Sequence, residues 1–96
     1  MFARVTNNMI PKDKIPDQIK SITEIAWPKA KQTKGYKGYL YLRNPDSGEV
    51  LTVSLWDTEK DMLDSEKGYF ADAQKRGESM GSKVLSKKYF VVGIKD

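Results

Sequence analysis

Cysteine and histidine are both absent from this 96-residue chain, and the two absences close off much of enzymology. Without thiols there are no disulfides, no thiolate-bound metals and no cysteine nucleophile; without imidazoles the commonest metal ligand and the commonest general base are missing. No apolar run approaches the length of a membrane span, and no basic segment followed by an apolar stretch opens the chain, so the expectation is a cytoplasmic protein with no membrane partner. The seven glycines are dispersed and none sits in a Gly-rich strand-to-helix turn, which leaves nucleotide chemistry without a phosphate loop.

What remains is the composition of an ordinary globular domain, 39% hydrophobic and 31% charged, read as a single domain over residues 1–96. A chain of this size buries only about two-thirds of the surface its unfolded form exposes, so its own core is modest. The net charge of +4 raises the question of a nucleic-acid partner, but the seventeen basic residues are scattered. The densest stretch, Lys29, Lys31, Lys34 and Lys37, surrounds the end of an expected helix, where cations oppose the negative end of the macrodipole. Lys83, Lys87 and Lys88 form a smaller group, and both are read as solvated surface. Likewise Glu59 with Asp61, and Asp64 with Glu66, are two apart on a helix and point in different directions, so they are surface charges and not a carboxylate pair.

The most informative block runs from Gly35 to Trp56. Two apolar, aromatic and β-branched runs flank Asn44-Pro45-Asp46-Ser47-Gly48-Glu49, which writes an antiparallel hairpin with strands at about 36–43 and 49–57. Asp57-Thr58-Glu59-Lys60 then supplies a helix start. Upstream, Phe2 to Thr6 reads as a first strand bounded by Asn7-Asn8. After it, Pro16 suits a first helical position, and Ile15, Ile19, Ile22, Ala26 and Ala30 draw one apolar stripe along a helix. Pro28 lacks an N–H and crowds the carbonyl of Glu24, which predicts a kink or a loosened last turn. Downstream, helical sequence from Thr58 is interrupted at Gly68 and ends at Gly77 and Gly81; a last strand is expected from Lys83 to Ile94.

The order β-α-β-β-α-β predicts an α+β, ferredoxin-like sandwich: a four-stranded antiparallel sheet with both helical regions on one face. The strands alternate poorly. In the third, Leu51, Val53 and Leu55 oppose Val50, Thr52, Ser54 and Trp56; in the second, Tyr36, Leu40 and Leu42 oppose Tyr39 and Tyr41. A sheet greasy on both sides needs two covers, and the expected second cover is an identical chain, giving a homodimer.

Gly35 opening a strand, the Gly48-Glu49 turn, and Leu-Thr-Val-Ser-Leu-Trp leading into Asp-Thr-Glu resemble the antibiotic-biosynthesis-monooxygenase family of dimeric α+β barrels, over nearly the whole chain. The resemblance implies a homodimer with a ligand cavity in each subunit between sheet and helices. It further implies either an oxygenase that needs no cofactor and acts on a small phenol or quinol, or a dimeric small-molecule or stress-related binder without turnover. The family's heme-degrading pattern is matched by Asn7 alone, since residues 58–80 hold no Trp and the chain has no His to ligate iron, so heme is not an expected partner. Its phenol-oxidising pattern is matched by Trp56, while Thr52 stands where that pattern has Asn and offers a hydroxyl in place of the amide's paired donor and acceptor.

The expected substrate-binding residues are therefore Trp56, Asn7, Thr52, Tyr36, Tyr69 and Arg4, with Arg4 or Asn7 steadying a negative oxygen and no metal or other cofactor required. Each has a structural alternative: Trp56 and Tyr69 as packing, Asn7 as turn chemistry beside Asn8, Arg4 as one half of a cross-strand ion pair. An RNA-binding reading, prompted by Lys34-Gly35-Tyr36 and Lys37-Gly38-Tyr39, fails on position, because those residues open the second strand and not the third.

Overall fold

A computed structural model describes all residues from Met1 to Asp96. Its elements follow the expected order: β1 (Phe2–Met9), a helix over 15–31, β2 (Tyr36–Arg43), β3 (Glu49–Trp56), α3 (Glu59–Ser65), α4 (Tyr69–Ser79) and β4 (Lys83–Val91). The four strands form one antiparallel sheet in the order β2-β3-β1-β4, with the helices on one face. This is the ferredoxin-like α+β arrangement.

The helix over 15–31 comprises α1 (Ile15–Ser21), a π-turn at Ile22–Ala26 and α2 (Trp27–Lys31). Pro28 accounts for the middle segment. Its ring disfavours ordinary i→i−4 geometry against Glu24, and the chain responds with a wider turn in which the Trp27 N–H donates to the Ile22 carbonyl. The loosening falls before the proline. At the other helical region Thr58 caps α3, its hydroxyl accepting from the Asp61 N–H at 3.1 Å, and Gly68 separates α3 from α4.

Three expectations about the strands require correction. Strand β1 continues through Asn7 and Asn8 to Met9, because a central strand is paired on both sides, with Leu51 and Val50 on β3 and Ser86 and Val84 on β4. Those backbone partners outweigh the turn preference of two asparagines. Strand β4 stops at Val91 and not Ile94, since β1 begins at Phe2 and offers no further rungs beyond a bond from the Val92 N–H to the Met1 carbonyl at 2.9 Å.

The third correction concerns faces. The β2–β3 register skips Lys37, pairing Tyr36 with Trp56 and Gly38 with Leu55. One extra residue reverses the alternation, so Tyr36 lies on the same face as Tyr39 and Tyr41 and not with Leu40 and Leu42. The helix-facing side therefore carries Tyr36, Tyr39 and Tyr41; Phe2, Arg4, Thr6 and Asn8; and Val50, Thr52, Ser54 and Trp56. The outer side carries Leu40 and Leu42, Leu51, Val53 and Leu55, with Val5 and Phe90.

Two glycines fix the hairpin's ends. Gly35 adopts φ +84°, its carbonyl accepts from the Asp57 N–H at 2.8 Å, and any side chain there would collide with Asp61. Gly48 lies against the backbone of Ile10, whose N–H donates to its carbonyl at 2.8 Å.

The interior is divided. One dry cluster gathers Trp56, Met62, Tyr69, Ala26 and Ala30, and a second gathers Ile10, Ile15 and Val50. They meet the sheet at its two ends, on the Phe2–Trp56 rung and the Asn8–Val50 rung. The stretch between is lined on the sheet by Arg4, Thr6, Thr52 and Ser54, all polar.

Candidate functional site

Between the two dry clusters, roofed by the π-turn and α4 and floored by the sheet, lies a cavity with room of about 80 Å³ for the centres of water-sized atoms. That is enough for several waters or a small ligand. The floor is the polar middle of the helix-facing sheet with Tyr39 added; Ile22, Ala26, Phe70 and Ala73 form an apolar roof, and Gln18, Gln74 and Ser82 lie toward one side. A polar floor under an apolar roof suits a flat molecule with oxygen at its edge.

Arg4 dominates the electrostatics. Its residue is only 2% exposed, yet it carries a full charge, so its neighbours must replace the water it has lost. Nη1 donates to the Met62 carbonyl at 3.1 Å and to Ser65 Oγ at 2.8 Å, at the C-terminal end of α3, where the helix dipole favours a cation. Nη2 donates to the Tyr69 hydroxyl at 2.9 Å. The guanidinium also lies over the Phe70 ring, 3.9 Å from its centroid.

The nearest carboxylate, Glu66, is 3.8 Å away and already engaged. It accepts from Lys87 Nζ at 2.5 Å and from the Tyr89 hydroxyl at 2.6 Å. Two cations therefore share one carboxylate beside the cavity. Burial alone would raise the Glu66 pKa, but its hydrogen bonds from Lys87 and Tyr89 more than offset this and hold it below the usual carboxylate range.

The tyrosines respond to burial in the opposite sense from a base. Burial pushes the Tyr69 phenol up, partly offset by the charge of Arg4. Tyr39 is pushed up further, again by burial, although Thr52 favours its ionised form. Both remain protonated at neutral pH and act as hydrogen-bond donors.

Of the residues expected at the site, Arg4, Thr52 and Tyr69 line this cavity. Trp56 and Tyr36 do not. Trp56 is wholly buried behind Tyr69, stacked on it with ring centroids 6.0 Å apart, and its indole N–H donates to Ser54 Oγ at 2.9 Å. Tyr36 meets the edge of Trp56, and its hydroxyl accepts from the Trp27 indole at 2.9 Å. Asn7 is on the opposite face of the sheet, where its amide donates to Glu49 at 3.2 Å, leaving its own carbonyl oxygen buried without a partner. One residue decides this, because odd positions of β1 face outward. Asn8 takes the inward place and lines the cavity.

Tyr39, Gln18, Thr6 and Ser54 join the site without having been expected there. Tyr39 was legible only with the bulge at Lys37 in view, and Thr6 and Ser54 only as polar residues sharing the parity of Trp56. Gln18 carries no local signal, since it reaches the cavity through tertiary packing.

Neither a protein-family model nor a curated protein matches the sequence. Solved structures do match the fold. A candidate antibiotic biosynthesis monooxygenase from Deinococcus radiodurans superposes with a TM-score of 0.81 at 15% identity, covering 100% of this chain and 96% of that one. SnoaB, a cofactor-independent oxygenase from Streptomyces nogalater, superposes with a TM-score of 0.78 at 11% identity over 98% of this chain and 94% of its own. A further candidate monooxygenase of this type, from Chloroflexus aurantiacus, gives 0.74 at 15% identity over 99% and 96%. At such identities the likeness is one of fold, and it is the fold of antibiotic-biosynthesis-monooxygenase-like proteins that the sequence resemblance implied.

Proposed function

We propose that this protein is a cofactor-free oxygenase of the antibiotic-biosynthesis-monooxygenase type, acting on a small phenol or quinol held in the cavity between sheet and helices. The observation that carries the reading is the buried Arg4–Tyr69 pair beside a partly open cavity with a polar floor. Arg4, Tyr69 and Thr52 are the proposed substrate-binding residues, with Trp56 and Tyr36 as the wall behind Tyr69.

The chemistry needs little from the protein. A bound phenol that loses its proton delocalises the charge onto a ring carbon, and that carbon bonds to oxygen to give a hydroperoxide once protonated. Loss of water then leaves a quinone, so one phenol and one dioxygen become one quinone and one water. A cation and an oriented hydroxyl favour the ionised substrate, and the apolar roof keeps bulk water from competing.

We also propose that the protein works as a homodimer. Leu40 and Phe90 are 55% and 50% exposed on the outer sheet face, among further aliphatic side chains. Asn7 leaves a buried oxygen unpaired on the same face. A second sheet laid there would remove that apolar surface from water and supply the missing donor.

A second reading, a dimeric small-molecule binder without turnover, is favoured by one observation: Trp56 is sealed away from the cavity and Thr52 offers no amide, so neither half of the family's Trp–Asn pair meets a ligand as that pattern implies. Oxygen uptake separates the two. With quinols and naphthols at saturating concentration, consumption above the buffer rate supports the oxygenase; calorimetric binding without consumption supports the binder; neither would overturn the cavity as a phenol site.

A further inference from the structure

The outer sheet face carries charges of both signs that have no opposite partner within the chain. Glu49 pairs with Met9 and Lys88 with Val5, both outward positions of β1, so the two side chains project from the same face on the strands to either side of it. The chain's ion pairs involve neither. Lys88 is exposed, whereas the partly buried Glu49 carboxylate is held by the Asn7 amide at 3.2 Å. Within one copy the two cannot meet, since they are two strand spacings and four residues apart, about 10 Å across the sheet and about 14 Å along it.

Two copies can bring them together. In a face-to-face pair related by a two-fold axis lying between the sheets, Glu49 of each copy stands over Lys88 of the other only if the axis bisects the line joining the two sites. The midpoint falls on β1 at Asn7. From there the perpendicular runs between Leu51 and Val53 to Leu40 on β2, a side chain 55% exposed in the single chain. About that axis Leu40 meets Leu40, Leu51 approaches Val5, and Val53 settles between Leu40 and Leu42 of the other copy. The strands of the two sheets then cross at about 70°, close to orthogonal sheet packing. Charge and apolar surface select the same axis. The other outward lysine, Lys83, pairs with Met9 and would lay the axis along β1, which leaves Leu40 and Leu42 facing no strand.

We infer that the homodimer is set in register by two reciprocal ion pairs, Glu49 of each copy with Lys88 of the other, about a two-fold axis over Asn7 and Leu40. This rests on the homodimer proposed above and adds how its copies are aligned. The Asn7 amide orients the carboxylate, and the aliphatic surround penalises any alignment that leaves either charge unmatched.

Charge reversal tests it by sedimentation at low salt. Glu49→Lys and Lys88→Glu each set like charges opposite one another twice per dimer, and each is expected to weaken dimerisation at least about tenfold with circular dichroism unchanged. An equimolar mixture of the two variants restores both attractions, because one copy then carries two lysines and the other two glutamates. That mixture is expected to dimerise like the parent, as is the double variant, and Lys83→Glu should shift the affinity by less than about threefold. A parent dimer whose single variants are unaffected, or whose mixed variants stay monomeric, overturns the register and leaves the homodimer standing. Rescue of Glu49→Lys by Lys83→Glu in place of Lys88→Glu does the same. A parent that sediments as a monomer removes both.

Discussion

The Arg4 guanidinium donates to the Tyr69 hydroxyl at 2.9 Å across 65 residues of sequence, joining the first strand to the start of α4. The same guanidinium closes the end of α3 through Met62 and Ser65, so one buried cation ties two helices to the central strand. Arg4→Met would remove three buried hydrogen bonds, to the Met62 carbonyl, Ser65 Oγ and the Tyr69 hydroxyl, and is expected to cost about 2–4 kcal/mol in denaturant unfolding. Tyr69→Phe removes one bond, should cost about 1–2 kcal/mol, and should weaken phenol binding while the fold survives. Equal stability of Arg4→Met and the parent would show that the network holds nothing together.

Glu66 makes the stability sensitive to acid. Its folded pKa lies below its ordinary value of 4.5, so its contribution is full above that value and disappears as pH falls through the lower, folded one. Lys87 is shifted up by the same hydrogen bond, so its share is present below the ordinary lysine value and fades as pH rises through the folded one. Urea unfolding from pH 7 to pH 3 should show a loss that Glu66→Gln largely abolishes, at a cost of about 1 kcal/mol at neutral pH because the carboxylate is partly exposed.

Trp56 is expected to matter for stability more than for binding. Trp56→Phe leaves a void behind Tyr69 and frees Ser54 Oγ, a loss of about 1–3 kcal/mol. The thermal midpoint should fall, whereas calorimetric affinity for a phenol in the folded variant should change by less than about threefold. A large loss of affinity with an unchanged midpoint would put the indole in contact with ligand.

The proposed homodimer places its second copy on the outer sheet face. Leu40→Lys with Leu42→Lys places two charges on strand β2, where both side chains are solvent-exposed in the single chain. Sedimentation is expected to show a dimer for the parent and a monomer for the double variant at micromolar protein, with circular dichroism unchanged. A parent that sediments as a monomer would remove the second copy from the proposal.

Gly35→Ala is expected to destabilise by about 2 kcal/mol or more, combining a positive φ with a collision against Asp61. Retention of the parent's unfolding midpoint would show that the turn can move aside.

Much of the fold was legible because its signals are local. The 44–49 turn, the Thr58 cap, the Gly68 break and the disturbance around Pro28 each follow from the φ/ψ range and hydrogen-bonding groups of a few neighbouring residues. The strand ends were less so: whether Asn7 and Asn8 form a turn or a strand depends on Val50, Leu51, Val84 and Ser86, far away in sequence.

The candidate site shows the same division more sharply. Arg4, Thr52 and Tyr69 stood out as residue types suited to an oxyanion, but Asn7 and Asn8 are chemically identical, and only the pairing of β1 decides which faces the cavity. Strict alternation puts Tyr36 and Tyr39 on opposite faces, and the bulge at Lys37 brings them to one.

By itself the sequence determined the order of elements, their approximate limits and the absence of histidine and cysteine chemistry, because propensity, capping and composition act over a few residues. Only the tertiary structure decided which polar side chains share the cavity and which lie on the far side of the sheet. Side-chain direction in a strand reverses with every residue, so a single bulge or a one-place shift in register reassigns it.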